Sequence, residues 1–437
     1  MKQKSIPSWI PSYGILFLVV LSALLILWVP GKSVLFLCFL VFNGVLCVLN
    51  RNYFTHGSVV TFRTLVGAVF VFSSLSKGVD PLGTVYMIED YLEAYHAAWL
   101  SPLATFASFA LCLVEFCVGV FLLFNIKIRW TVWVLAVMMA FFTGLTWVDA
   151  VAEPVPDCGC FGKALVITNW QTFYKNLVLD AATLVLLFSA GRIRSRRKPA
   201  QVWTIAVLWT VAFLAFEIYN YRYLPVVNFL EWKKGERLFP EHQLPLRHYM
   251  TYRNKNTGEE REYLLSECPF SDPQWVEEWE FVDRRDENPN PAAVNINILD
   301  KIDEEDPGLD VTRSLLEDDR YLFLVAVYDI DRANEKGLRK VADFVNKMYE
   351  AGYDACFLTS SDVERATAFK EDYGVADFPV FYADNTSIKA VIRSNPGVVL
   401  VRNAYVLGLW DWRRLPDPDA VDFRALQEAF GASEEEE

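Results

Sequence analysis

Apolar and polar positions divide this chain into two unlike halves. Up to about residue 221, long apolar runs alternate with short polar breaks. The runs cover 13–30, 33–49, 59–76, 103–125, 130–149, 173–191 and 202–221. A helix crossing lipid needs about 20 residues, so hydropathy predicts seven spans, the first two near the lower limit and joined as a hairpin by Pro30-Gly31-Lys32. Lys2 and Lys4 before the first run resemble the start of a signal peptide. No small-x-small cleavage site follows, so an uncleaved anchor is expected.

Beyond residue 221 the pattern changes. Tyr249–Tyr252 and Glu262–Leu265 flank an Asn/Gly-rich turn and predict a hairpin. Trp275, Trp279 and Phe281 cluster next, and the acidic, Pro- and Asn-rich residues 283–310 predict a surface loop or linker. From Tyr321 the order sharpens. Tyr321–Tyr328 is a buried strand. Residues 333–350 form an amphipathic helix with Leu338, Val341, Ala342, Val345 and Met348 on one face. Tyr353–Leu358 is a second strand. Ser361-Asp362-Val363-Glu364 reads as a capping box opening a helix that runs to Tyr373-Gly374. Val398–Val401 and Tyr405–Trp410 make an antiparallel hairpin around Arg402-Asn403, and a last helix covers 420–430. This order predicts a compact α/β domain.

Charge separates the halves further. Residues 1–221 carry 15 Lys and Arg against 10 Asp and Glu, net +5; residues 222–437 carry 26 against 44, net −18. An acidic soluble half argues against nucleic acid as a partner, because phosphate binding needs a basic face. In the apolar half the cations fall in alternate breaks: Arg51, then Lys127 and Arg129, then Arg192 to Lys198. Under the positive-inside rule these breaks are cytoplasmic. The loop 77–102, the loop around residue 160 and everything after 221 then face outward, in a bacterial cell the periplasm. Thiols there are kept oxidising.

The local group with chemistry of its own is Asp157-Cys158-Gly159-Cys160-Phe161-Gly162. Two cysteines this close can exchange with a third thiol, oxidise against each other, share a metal, or simply line a structural turn. Lys77 and Lys163 would favour a thiolate if near. Glu115 lies mid-span. It is read either as a functional carboxylate or as the partner of Arg63 or Lys77 in an ion pair. Asp180 is a further intramembrane acid. Cys38, Cys47, Cys112 and Cys117 fall inside spans, and they and Cys356 read as packing residues.

Residues 59–191 resemble the DoxX/MauE family of small four-helix membrane proteins. The resemblance rests on Arg63-Thr64-Leu65-Val66-Gly67, on Ser76-Lys77-Gly78-Val79-Asp80-Pro81, on Glu115 with Gly119, on Asp157–Gly162, and on Trp170 to Asn176, which includes Lys175. It implies redox work at the outer membrane surface, with Cys158 and Cys160 as the reacting pair and a quinone as electron acceptor. Residues 320–430 resemble thioredoxin in element order, with Pro396 at the cis-proline position. Residues 331–338, where that family's Cys-x-x-Cys would lie, hold no cysteine.

The expected architecture is therefore an α-helical membrane bundle plus a soluble thioredoxin-like domain. Its parts are a hairpin at 1–55, a four-helix DoxX-like core at 56–195, a seventh span at 196–222, a β-rich insert or linker at 223–318 and the α/β domain at 319–437. The expected partners are the lipid bilayer and periplasmic protein thiols or other envelope proteins. Two other functions fit the residues: a non-enzymatic envelope scaffold, and a transporter using Glu115, although no internal repeat supports the latter.

Overall fold

In the computed structural model, described residues are 56–155, 158–191, 193, 197–239, 247–270, 272–287, 294, 296–302 and 308–423. The expected hairpin at 1–55 and most of the helix at 420–430 lie outside them. The chain forms two compact units, Met1–Phe229 and Leu230–Glu437.

The first unit is helical. It contains α1 (His56–Val79), α2 (Pro81–Ala94), α3 (Ala104–Phe124), α4 (Ile128–Ala152), α5 (Asn169–Ser189) and α6 (Pro199–Arg222). Among the described residues, five helical segments are long and apolar enough to cross a membrane: Val59–Val79, Ala98–Phe124, Ile128–Ala152, Asn169–Ser189 and Pro199–Arg222. Trp130, Trp133, Val137, Phe141 and Trp203 stay exposed on their outer faces, where lipid replaces water.

Helix α2 corrects the reading of 77–102 as a loop. Asp80 accepts a hydrogen bond from the Gly83 N–H at 3.0 Å, and Pro81 takes the first helical position. This N-cap followed by proline is a helix start. α2 is too short to span, so it lies beside the bundle's end.

α1 and α3 approach closely through Gly67 and Gly119. A Cβ on Gly119 would meet the backbone N of Val71 at 2.8 Å and the Gly67 carbonyl at 2.9 Å. Small residues permit such backbone contact between spans. This contact seats α1 against α3, the two helices that carry Lys77 and Glu115.

In the second unit a sheet of order β6-β5-β4-β7-β8 forms the centre. Its strands are β4 (Leu322–Val327), β5 (Asp354–Thr359), β6 (Val380–Tyr382), β7 (Gly397–Arg402) and β8 (Tyr405–Asp411). β4, β5 and β6 run parallel, and β7 and β8 antiparallel to their neighbours. The helix Glu335–Glu350 buries Leu338, Val341, Ala342, Val345 and Met348, the stripe its spacing predicts, and Phe344 as well. The Asn395–Pro396 peptide bond is cis. Asn334 caps that helix, its side chain accepting from the Gly337 N–H at 3.1 Å. Gly337 packs so closely on Pro396 and Trp412 that a Cβ there would reach each at 2.9 Å.

Three readings of this unit are corrected. The helix Val363–Asp372 is capped by Asp362, which accepts from the Arg365 N–H at 2.7 Å, whereas Ser361 Oγ accepts from the Ile330 N–H. Residues 283–287, expected as the start of the loop 283–310, instead finish the strand Trp279–Glu287. With 247–254 and 260–264 that strand forms a separate sheet, whose hairpin pairs Tyr249 with Leu264 as expected. The region 223–318 is not one insert, because its flanks complete the α/β core. Leu299 bridges to Tyr382, the Gly235 N–H donates to the Val406 carbonyl, and Trp232 and Ile298 are buried.

Gly119→Ala is expected to destabilise the protein by about 1–3 kcal/mol, the usual cost of overpacking. Gly144→Ala, with nothing within 4 Å, is expected to be neutral or up to about 1 kcal/mol stabilising through helix propensity. Unfolding in detergent measures both, and equal effects would remove the α1–α3 approach as a constraint.

Candidate functional site

The cysteine loop joins α4 to α5 and folds back over the end of α1. Gly159 and Gly162 both have positive φ, +57° and +54°, which glycine adopts without strain. A Cβ on Gly159 would also collide with the Met87 sulfur, and one on Gly162 would press on the Ser76 carbonyl. The Gly162 N–H donates to the Gly159 carbonyl at 2.9 Å and closes the turn. Helix α5 starts at Asn169 with a capping box between Thr168 and Gln171, so its first turn is fixed under the loop.

The two sulfurs lie 3.3 Å apart as a thiol pair. Cys158 Sγ is also 3.2 Å from Thr172 Oγ1. The hydrogen bond shared with Cys160 draws the Cys158 thiol down to about 6 against the opposing effect of burial; Thr172 and the Lys175 charge act in the same direction. Cys160 moves upward, chiefly because it is the partner that keeps its proton, and burial adds to this. The shared hydrogen bond thus favours ionisation at one sulfur while the other keeps its proton, and the two titrate as a pair. Lys175 lies over the Phe161 ring at 4.5 Å. The cations that act on the pair are Lys175 and Lys77.

Directly beneath the loop is a buried ion pair. Lys77 Nζ lies 2.6 Å from both Glu115 oxygens, the side chains 5% and 3% exposed. Of the two partners weighed for Glu115, Lys77 is therefore the one present. Arg63 sits 14 residues earlier on α1, about 21 Å along the axis at 1.5 Å per residue, with Arg197 as its nearest charge. Ser73 links pair and loop: its hydroxyl lies 3.3 Å from Glu115 Oε2 and 2.7 Å from the Cys160 carbonyl.

These groups border one cavity of about 510 Å³, with apolar walls from Val69, Leu111, Met139, Phe142 and Leu179. Its polar edge carries Ser73, Lys77, Glu115, Tyr91, Lys175, Asn176 and both cysteines. Asn176 donates to Thr146 Oγ1 at 3.1 Å. Tyr91 was not anticipated. Its hydroxyl donates to Asp149 Oδ2 at 2.6 Å, and burial, then that bond, pushes the phenol up. The available signal was the Asp80-Pro81 helix start, which places Met87 and Tyr91 one turn apart on a single face of α2.

Of the other residues singled out, Asp80 caps α2 and Asp157 lies outside the described residues. Asp180 accepts from the Thr143 hydroxyl at 2.7 Å. Pro396 belongs to the other unit. Among the described residues, no group of three His, Cys, Asp or Glu is placed to hold a metal ion.

With this geometry in hand, a family comparison is informative. Residues 55–189 match the model of the family described as methylamine utilisation protein MauE. The match takes in helices α1 to α5, the cysteine loop, the ion pair and the whole cavity. Helix α6 and the second unit lie beyond it. No curated protein and no solved structure matches the chain.

Alkylation of Cys158 should follow a titration near pH 6, since only the thiolate reacts. The rate should be near its plateau at pH 7 and fall as pH drops through 6. Cys160→Ala removes the first cause of the shift and should move the midpoint up. Peptide mass spectrometry after iodoacetamide labelling measures both, and a midpoint near 9 in the parent protein would refute the thiolate assignment.

Proposed function

We propose that this protein is a membrane-bound thiol–disulfide redox protein that takes electrons from protein thiols through Cys158 and Cys160. The observation that carries this is a thiol pair of split acidity at the mouth of an apolar cavity. A client thiolate attacks Cys160 Sγ of the loop disulfide, and Cys158 leaves as the more stable thiolate. A second client thiolate then attacks the client sulfur of the mixed disulfide. The client leaves as a disulfide and Cys160 recovers a proton. The hydrogen bond between the two sulfurs and the Lys175 charge favour ionisation of Cys158.

A quinone suits the cavity as the acceptor class: the volume accepts a ring, the walls are apolar, and hydrogen-bonding groups sit at one edge. Such an acceptor supplies a two-electron, two-proton sink. The chain's own contribution is to hold the sulfurs against that space and keep a charged Lys77–Glu115 pair under it. The positive-inside pattern supports a periplasmic side for this edge, in a bacterial inner membrane.

We read the five-stranded unit as thioredoxin-like, with a client-holding role. Parallel β4-α-β5, an antiparallel β7–β8 hairpin and Pro396 packed on Gly337 in the first turn of the helix at Glu335 support that reading. Trp412 occupies the space beside Gly337, and no cysteine is present there, so binding rather than dithiol exchange is its role. The same observation favours a second function, an envelope scaffold that holds protein partners without electron transfer.

Acid-quenched cells, differentially labelled and mapped by mass spectrometry, test the redox reading. The expected result is a dithiol–disulfide mixture at Cys158 and Cys160 that shifts with respiratory state. Both thiols free in every condition would leave the scaffold. For orientation, a reporter active only outside the cytoplasm should work when fused after Arg222 and fail at Arg194; the reverse would overturn the periplasmic assignment.

A further inference from the structure

Helix α6 lies outside the matched residues, yet it packs on the back of the site. Phe213 stacks on Phe116 of α3 with centroids 4.1 Å apart. Asn220 donates to the Gly78 carbonyl at 3.1 Å, next to Lys77. One turn before Asn220 stands Glu217. It is wholly buried, at 0% exposure, and its carboxylate has no charged partner; the one group placed to hydrogen-bond it among the described residues is the Cys112 thiol.

The groups around it can be named. From α3 come Cys112 and Cys117, the latter 3.3 Å from Thr210 Oγ1 of α6 itself. Cys112, one turn before Glu115, also faces Lys77 and Glu115, and α2 adds the Thr84 hydroxyl. The buried cluster thus holds one cation and two carboxylic groups. Lys77 and Glu115 neutralise each other. An ionised Glu217 would be a second, uncompensated charge in an apolar interior, which is costly; as a carboxylic acid it is neutral.

We propose that Glu217 is a proton-binding site, a carboxylic acid at rest that supplies a proton to the cavity through the Lys77–Glu115 pair. The protonation stands on burial alone; the use of the proton rests on the redox reading above. The loop rests as the Cys158 thiolate and the Cys160 thiol, so it brings two electrons but one proton. Forming the S–S bond breaks one S–H bond and sends both electrons to the quinone acceptor, whose two oxygens need two protons to become a quinol. The second proton comes from Glu217, leaving its carboxylate to be reprotonated from water.

The full-length protein in detergent provides the test, using parent protein, Glu217→Gln, Glu217→Asp and the Cys158→Ser/Cys160→Ser pair. Infrared spectroscopy should show a protonated-carboxyl band in the parent protein at neutral pH. The band should vanish in Glu217→Gln and persist in the double cysteine variant. Loop oxidation by a short-chain quinone should slow roughly a hundredfold in Glu217→Gln, the low end for losing a general acid. The residual rate should climb as pH falls, and Glu217→Asp should restore much of the loss. A band that survives Glu217→Gln overturns the proposal. So does a parent-like rate and pH profile in that variant. If the band vanishes in Glu217→Gln but the parent loop passes no electrons to quinone, Glu217 remains the proton site and the quinone reading falls instead.

Discussion

An ammonium and a carboxylate lie 2.6 Å apart in the bundle, both almost fully buried. Neither charge would be tolerated alone at that depth, and together they tolerate it only if the geometry is held. Much of the first unit serves that requirement. Gly67 and Gly119 let α1 and α3 touch backbone to backbone, which brings the two side chains into range. Ser73 ties the same carboxylate to the Cys160 carbonyl. The pair therefore fixes the cysteine loop as well as the helices. A buried ion pair adds little net stability over apolar packing, so keeping one costs stability for a defined electrostatic environment.

That environment explains why two cysteines one residue apart differ so much. In water they would titrate alike. Here a shared hydrogen bond lets one proton serve two sulfurs, so easing ionisation at Cys158 hinders it at Cys160. The loop's strained turn is carried by glycine at the two positive-φ positions, so the sulfurs face each other without a steric penalty. The apolar cavity then sets the reach of the chemistry. Its walls favour an apolar ligand over a hydrophilic one.

The sequence was most legible where chemistry is local or periodic. The cysteine pair, the spans 59–79 and 199–222, the stripe on the helix at 335–350 and the hairpin at 249–264 follow from spacing. It was least legible where a polar residue's role depends on a distant partner. Glu115 had two candidate cations at opposite ends of α1, and only the packing of α1 on α3 selects Lys77. Tyr91 and Asp149 are 58 residues apart, and no local pattern links them. Leu299 lies in a stretch of loop composition, but it bridges to Tyr382 of β6, which itself has only three residues. Ser361 and Asp362 are both competent caps; the neighbouring Ile330 N–H engages the serine and leaves the aspartate to the helix.

Helix α6 shows how a segment outside a family match can still belong to the site. Its contacts are not those of a passive anchor. Phe213 closes the side of α3 opposite the cavity, and Asn220 holds the end of α1 at the residue after Lys77. A segment whose sole task was to tether the second unit would present lipid-compatible side chains all round. α6 instead turns one carboxylate and one amide inward, at the level where the buried ion pair sits. Burying a carboxylate there is unfavourable unless it carries a proton. In the membrane half, the ion pair, the cysteine loop and Glu217 are therefore held by the same few helix contacts.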